Sequence, residues 1–257
     1  MHSLRFTAET SSNGVRERDF LVGDVPGVLW SPETASDHAP VVLMGHGGGL
    51  HKKTPAQAAR AADTVTTWGF HVVAIDAPGH GDRPRTAADD RARDQMRQAV
   101  TAGDKARFEA VSVGYTTALA ERAVPEWQAT LDALQQLPEI GPEAPIGYGG
   151  GVSMGTAIGI PLTAADPRIV AAVFGGGFFV YESLLAAARR ITVPVQFLLP
   201  WDDEYVDRQS SLTLFDAFAS AEKTLHANPG DHRRIRWIGL DQGFLAGHLS
   251  RAGAPVS

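Results

Sequence analysis

Six short, largely apolar runs recur along the chain, separated by stretches of helical pattern. They are "VVLMG" (Val41–Gly45), "FHVVAID" (Phe70–Asp76), "PIGYG" (Pro145–Gly149), "IVAAVFG" (Ile169–Gly175), "VPVQFLL" (Val193–Leu199) and "KTLHAN" (Lys223–Asn228). A strand buried on both faces reads as a continuous apolar run, whereas a strand with one wet face alternates. Continuous runs separated by helices therefore predict a parallel sheet with helices on both faces. Upstream, "VRERDFLV" (Val15–Val22) does alternate, and Gly23-Asp24 turns it into "VPGVLW" (Val25–Trp30), an antiparallel hairpin. The pattern amounts to about eight strands, the first two antiparallel. The 257 residues contain no internal repeat and no linker, so one α/β domain over 1–257 is expected.

The helices between the runs carry end signals. Thr54-Pro55 reads as an N-cap with proline at the first helical position, and Gly69 as the stop. "WQATLDALQQL" sets Trp127, Leu131, Leu134 and Leu137 near one face. Strands at Phe70–Asp76 and Pro145–Gly149 are about 70 residues apart, where a crossover needs only a dozen or more. The excess, about Arg85–Val124, is charged and helical in pattern. It reads either as added surface helices or as a partial lid over a site. The interval from Gly175 to Val193 is too short to hold a large cap.

Charge and composition exclude several classes. The formal net charge is −6, which is no footprint for nucleic acid. The chain has no cysteine, so disulfides, thiolate metal sites and a cysteine nucleophile are ruled out. The N-terminal stretch has no apolar run fit for a signal peptide, and no segment approaches the ~18 residues of a membrane span. A cytoplasmic protein with no membrane partner is expected, and the sequence leaves a homodimer open.

"YGGGVSMGTAIG" (Tyr148–Gly159) crowds five glycines around Ser153. Within it, Gly151-Val152-Ser153-Met154-Gly155 satisfies G-x-S-x-G just after a strand and just before a helix, the context that motif requires. The glycines are expected to make room for a strained turn that exposes the hydroxyl. Serine is a weak nucleophile at neutral pH and needs a base held by an orienting group. In such a sheet the chain order is serine, acid, histidine. Downstream, one strand runs into "PWDDEYV", and "KTLHANPGDH" is a strand and loop ending in His232. Asp202, Asp203 and Glu204 all stand in the first of these. Of the other histidines, His226 reads as packed or surface and His248 as packed in a C-terminal helix. His46 reads as a structural hydrogen-bonding group, and His80 as structural rather than near the site. His2, His38, His51 and His71 have no companion pattern. No histidine pair has the context of a zinc site, so no catalytic metal and no cofactor is expected.

With these motifs in place, from about Val41 to the C-terminus, the sequence resembles the α/β-hydrolase superfamily, in particular its dienelactone-hydrolase-like and short esterase-like members. The residues that carry the resemblance are "GHGGG" (Gly45–Gly49), "DAPGHG" (Asp76–Gly81), "GVSMG", "WDDEYV" (Trp201–Val206) and "HANPGDH" (His226–His232). Dienelactone hydrolases proper use a cysteine nucleophile, which this chain lacks. The resemblance implies an α/β-hydrolase fold with a helical insertion before the nucleophile strand. It implies a triad of Ser153, His232 and Asp203, the acid standing three residues before Val206, with Asp202 second. It also implies an oxyanion hole of the Gly48 and Met154 backbone N–H groups, with Gly49 the other first donor and Gly47 shaping the loop. The expected activity is hydrolysis of small to medium carboxylic esters or lactones through an acyl-enzyme. The same triad also serves acyltransferases, thioesterases and peptidases, and the fold also serves non-hydrolytic ligand binders. A dinucleotide-binding reading fails, because Leu50 and Val152 occupy the third glycine's place in the nearest G-x-G-x-x-G candidates. Arg233, Arg234 and Arg236 read as a solvated stretch rather than a substrate clamp. Phe178 and Phe179 read equally as core or as pocket lining.

Overall fold

The computed structural model describes residues 3–34, 38–203 and 206–253, with nothing said of the side chains of 151 and 152. His2 and Glu204 lie outside the described residues. Among the described residues, nine strands form one sheet: β1 (Leu4–Ser12), β2 (Val15–Val22), β3 (Val25–Pro32), β4 (Val41–Leu43), β5 (His71–Ile75), β6 (Ile146–Val152), β7 (Ile169–Gly175), β8 (Val195–Pro200) and β9 (Lys223–Asn228). Seven helices accompany them: α1 (Pro55–Trp68), α2 (Ala87–Ala102), α3 (Lys105–Leu134), α4 (Met154–Ala165), α5 (Glu182–Ala188), α6 (Arg208–Ala217) and α7 (Phe244–Ala252).

The expected count of about eight strands is one short, because β1 was not anticipated. It is mostly exposed and only weakly apolar, so periodicity hides it. The signal that betrays it is Asn13-Gly14, where both residues take positive φ (54° and 79°), the pairing a two-residue hairpin turn favours. β1, β2 and β3 run antiparallel to their neighbours, and β3 pairs antiparallel with β5. All pairs from β5 through β9 are parallel.

The strand order is β1-β2-β3-β5-β4-β6-β7-β8-β9. After β4 the chain crosses to β5 on one side, and then returns past β4 to β6 on the other. The C-terminal ends of β4 and β6 thus lie side by side where the winding reverses, which is where an open α/β sheet opens a crevice.

Two apolar layers sandwich the sheet. On one face Ala61 and Val65 of α1 and Ala246 and Leu249 of α7 pack with Val72, Val28 and Trp30. On the other, Leu131 and Leu134 of α3, Ile158 and Ile160 of α4 and Leu184 of α5 pack on Leu43, Val73, Ile146 and Phe174. α1 begins at Pro55 and stops at Gly69, which is left-handed at φ 69°. α2 begins with a capping box in which Thr86 and Asp89 satisfy each other's backbone N–H. The second half of the insertion and the helix around Trp127 are not separate elements. They are one 30-residue helix, α3, which runs through Pro125. Its N-terminal half stands beside α2, and its C-terminal half is buried on the sheet through Trp127, Leu131 and Leu134.

Candidate active site

Ser153 occupies the turn from β6 into α4 with φ 67° and ψ −126°, a conformation rare for a residue with a side chain. Its N–H donates to Gly176 O at 3.0 Å, and its carbonyl accepts the first helical bond from Ala157 at 3.1 Å. The surrounding glycines do two jobs. A Cβ on Gly155 would press on the backbone of Gly45 and His46, so this glycine lets the turn and the loop after β4 lie in contact. A Cβ on Gly150 or Gly159 would instead overlap the ring of Tyr148, which is fully buried and donates its hydroxyl proton to Gly155 O at 2.5 Å. The expectation that the glycines serve the strained turn is therefore met in part. Several of them make space for an aromatic ring packed beneath it.

His232 comes from the loop after β9. Asp203, just past the end of β8 with its side chain buried, accepts from its Nδ1 at 2.5 Å and from its backbone N–H at 3.1 Å. The second carboxylate oxygen accepts the N–H of Val206 at 3.2 Å. Gly177, at φ +92°, is seated directly against His232, and a Cβ there would collide with the imidazole. This seat within "FGGGFF" was not anticipated. Asp202 lies outside the pair: it is exposed and accepts from Gly230 N at 3.3 Å. Nor does it cap the next helix, a role Asp207 takes by accepting from Ser210 N at 2.8 Å.

Ser153 and His232 line one cavity of 320 Å³, together with Gly48, Gly49 and Met154. The backbone N–H groups of Gly48 and Met154 donate to no protein acceptor among the described residues. The loop that carries Gly48 is pinned at both ends to the segment after β5. His46 Nε2 accepts from Ala77 N at 3.0 Å while its Nδ1–H donates to Gly47 O at 3.0 Å, and burial pushes the imidazole pKa down. Lys52 donates to Asp76 through its backbone N–H at 2.8 Å and its ammonium at 2.7 Å. Burial opposes ionisation of Asp76, but the hydrogen bonds from Lys52 outweigh it and hold the carboxyl below its usual range.

His80, read from sequence as structural, lines the cavity as well. Its Nδ1–H donates to Pro78 O at 3.0 Å, and burial lowers its pKa to about 4. α2 and α3 supply Arg93, Met96, Phe108, Ser112 and Tyr115 to the same wall. Phe178 is both buried and cavity-lining, so its two readings coincide; Phe179 also lines the cavity. Arg233 reaches the rim, whereas Arg234 and Arg236 are exposed and away from it. His226 packs on Trp237, and His248 packs on Phe244 in α7.

No protein-family model matches the chain, and no curated protein matches it either. Solved structures do. A cold-adapted esterase from an Arctic intertidal metagenomic library is 32% identical, with 95% of this chain and 96% of that one covered and a TM-score of 0.69. The chain belongs to the α/β-hydrolase esterases. Acetyl xylan esterase 1 from Thermoanaerobacterium sp. JW/SL YS485 shares the fold at 13% identity, covering 98% and 88% of the two chains with a TM-score of 0.66. The Pyrococcus furiosus esterase Pf2001 does so at 14%, covering 98% and 91% with a TM-score of 0.59. The crevice at the winding reversal is where a small molecule meets an open α/β sheet. No helix among the described residues is long and apolar enough to cross a membrane.

Proposed function

We propose that the protein is a serine esterase that cleaves small to medium carboxylic esters or lactones through an acyl-enzyme. The observation that carries this reading is the single cavity lined by Ser153 and His232, with Asp203 bonded to the far nitrogen of that imidazole. In the first step His232 Nε2 takes the hydroxyl proton as Ser153 Oγ attacks the ester carbonyl. Asp203 holds the Nδ1–H tautomer and stabilises the imidazolium that forms. The Gly48 and Met154 N–H groups receive the charge that develops on the carbonyl oxygen, a contribution of about 2.7–4 kcal/mol per donor. The imidazolium then protonates the leaving alcohol. Water repeats the attack on the acyl-enzyme with the same proton transfers, and Ser153 is regenerated.

α2 and the N-terminal half of α3 act in this reading as a partial lid on one catalytic domain, shielding the developing charge from water. The Ser153→Ala variant tests the whole assignment. It is expected to lose p-nitrophenyl acetate turnover and labelling by a fluorophosphonate while keeping its thermal transition. Activity retained by the purified variant would remove Ser153 from the reaction.

A further inference from the structure

The cavity holds a cation that the triad does not use. Arg93, on α2, lines it together with Ser153 and His232. Its Nη2 donates to His80 Nε2 at 2.9 Å. That acceptor is a neutral ring, since His80 Nδ1 already donates to Pro78 O and Nε2 must offer its lone pair. The other two guanidinium nitrogens are unserved. Nε is buried with no acceptor, and Nη1 makes no hydrogen bond among the described residues.

Nor does a carboxylate among the described residues pair with the charge. Each aspartate on α2 is taken by another arginine: Asp89 by Arg122 at 2.6 Å, Asp90 by Arg85 at 2.7 Å and Asp94 by Arg97 at 2.5 Å. Arg83 nearby pairs with Glu126 at 2.6 Å. The cavity wall that Arg93 shares includes Met96, Phe108, Val113 and Phe178 beside the polar Ser112, Tyr115 and Thr116. A half-buried guanidinium whose Nε has no acceptor is costly unless an anion compensates it. The His80 bond fixes the plane of the fork in advance, so an arriving carboxylate loses little of its attraction to ordering the side chain. A second cation, Arg233, lines the same cavity from its exposed rim.

From this geometry we infer that Arg93 is an anion-recognition residue, and that the substrate is an ester carrying a carboxylate within one cavity's span of its carbonyl, as in a hemiester of a short dicarboxylic acid. The carboxylate binds the Arg93 guanidinium while the ester carbonyl lies at Ser153. This inference rests on the serine-esterase reading of the cavity.

The test compares monoethyl glutarate with ethyl pentanoate, two esters of equal chain length that differ in charge, by titrating the acid released. The wild-type enzyme is expected to favour the hemiester in kcat/KM by about tenfold or more, with the preference shrinking as salt is added. In Arg93→Met the ratio of the two specificity constants is expected to collapse towards one, chiefly through the KM of the hemiester. Arg93→Lys, which keeps the charge but not the fork, should retain part of the preference. A wild-type enzyme that turns over ethyl pentanoate through Ser153 without favouring the hemiester overturns the inference and leaves the esterase reading intact. An Arg93→Met variant that retains the wild-type ratio also overturns it. Absence of Ser153-dependent turnover of either ester overturns both.

Discussion

Ser153 and His80 are held in states that cost free energy, and both line the cavity. A side chain at φ 67° and ψ −126° costs about 1–3 kcal/mol, and it persists because the bonds to Gly176 and Ala157 leave the turn no alternative. His80 bears a different cost. Its imidazole binds a proton near pH 6.5 in the unfolded chain but only near pH 4 in the folded one. Between those values the unfolded state holds more protons, so stability falls as pH drops from 6.5 towards 4 and levels off below that. A His80→Gln variant is therefore expected to lose less stability between pH 7 and pH 5 than the wild type. Urea midpoints at the two pH values measure this, and equal losses would show that His80 contributes nothing to the slope. His46 and His71, also pushed down by burial, supply the slope that remains in the variant.

Among the elements, α3 does the most varied work. Its C-terminal half is core, while Phe108 in its N-terminal half meets Phe179 edge to face at 5.6 Å and 71°. Both rings line the cavity of Ser153 and also a second cavity of 770 Å³ that reaches Val100, Lys105 and Ser210. The aromatic pair, with Val206, thus lies between the two spaces. Phe108→Ala should join them and move the preferred acyl chain of p-nitrophenyl esters from about two to four carbons towards eight. The gain in kcat/KM on the longer ester is expected to be about tenfold, the worth of burying a few methylenes. An unchanged chain-length profile would show that the second cavity is not reached from the first.

For the whole molecule, the sheet separates two cores that share no side-chain contacts of the clustered kind. Leu131→Ala in one layer is expected to cost about 2–5 kcal/mol, and Val72→Ala in the other somewhat less. Since the sites lie on opposite faces of the sheet, the double variant should add within about 0.5 kcal/mol. Denaturant unfolding of the single and double variants measures the coupling, and a larger deviation would mean that the strands transmit strain between the layers.

How much was legible beforehand follows from which signals are local. The strands Val15–Val22, Ile169–Gly175 and Lys223–Asn228 match their sequence-read bounds, and so do the start and stop of α1, because periodicity and cap chemistry act over a few residues. The places of Ser153, on a turn between strand and helix, and of His232, in the loop after a strand, were likewise readable. β1 escaped because its pairing buries little apolar surface, although Asn13-Gly14 marked its turn. Three things depended on tertiary contact. That Asp203 rather than Asp202 meets His232, the order the resemblance implied, follows from the fold, since adjacent residues past a strand end point in different directions. Gly150 and Gly159 answer to a ring, and Gly177 to an imidazole 55 residues further on. Arg93 has no carboxylate partner among the described residues, every aspartate of its helix being paired with another arginine. Local pattern determines where elements begin and end. Which side chains converge, and which charge is left unanswered, depends on the strand order, and that emerges only when the whole sheet closes its two cores.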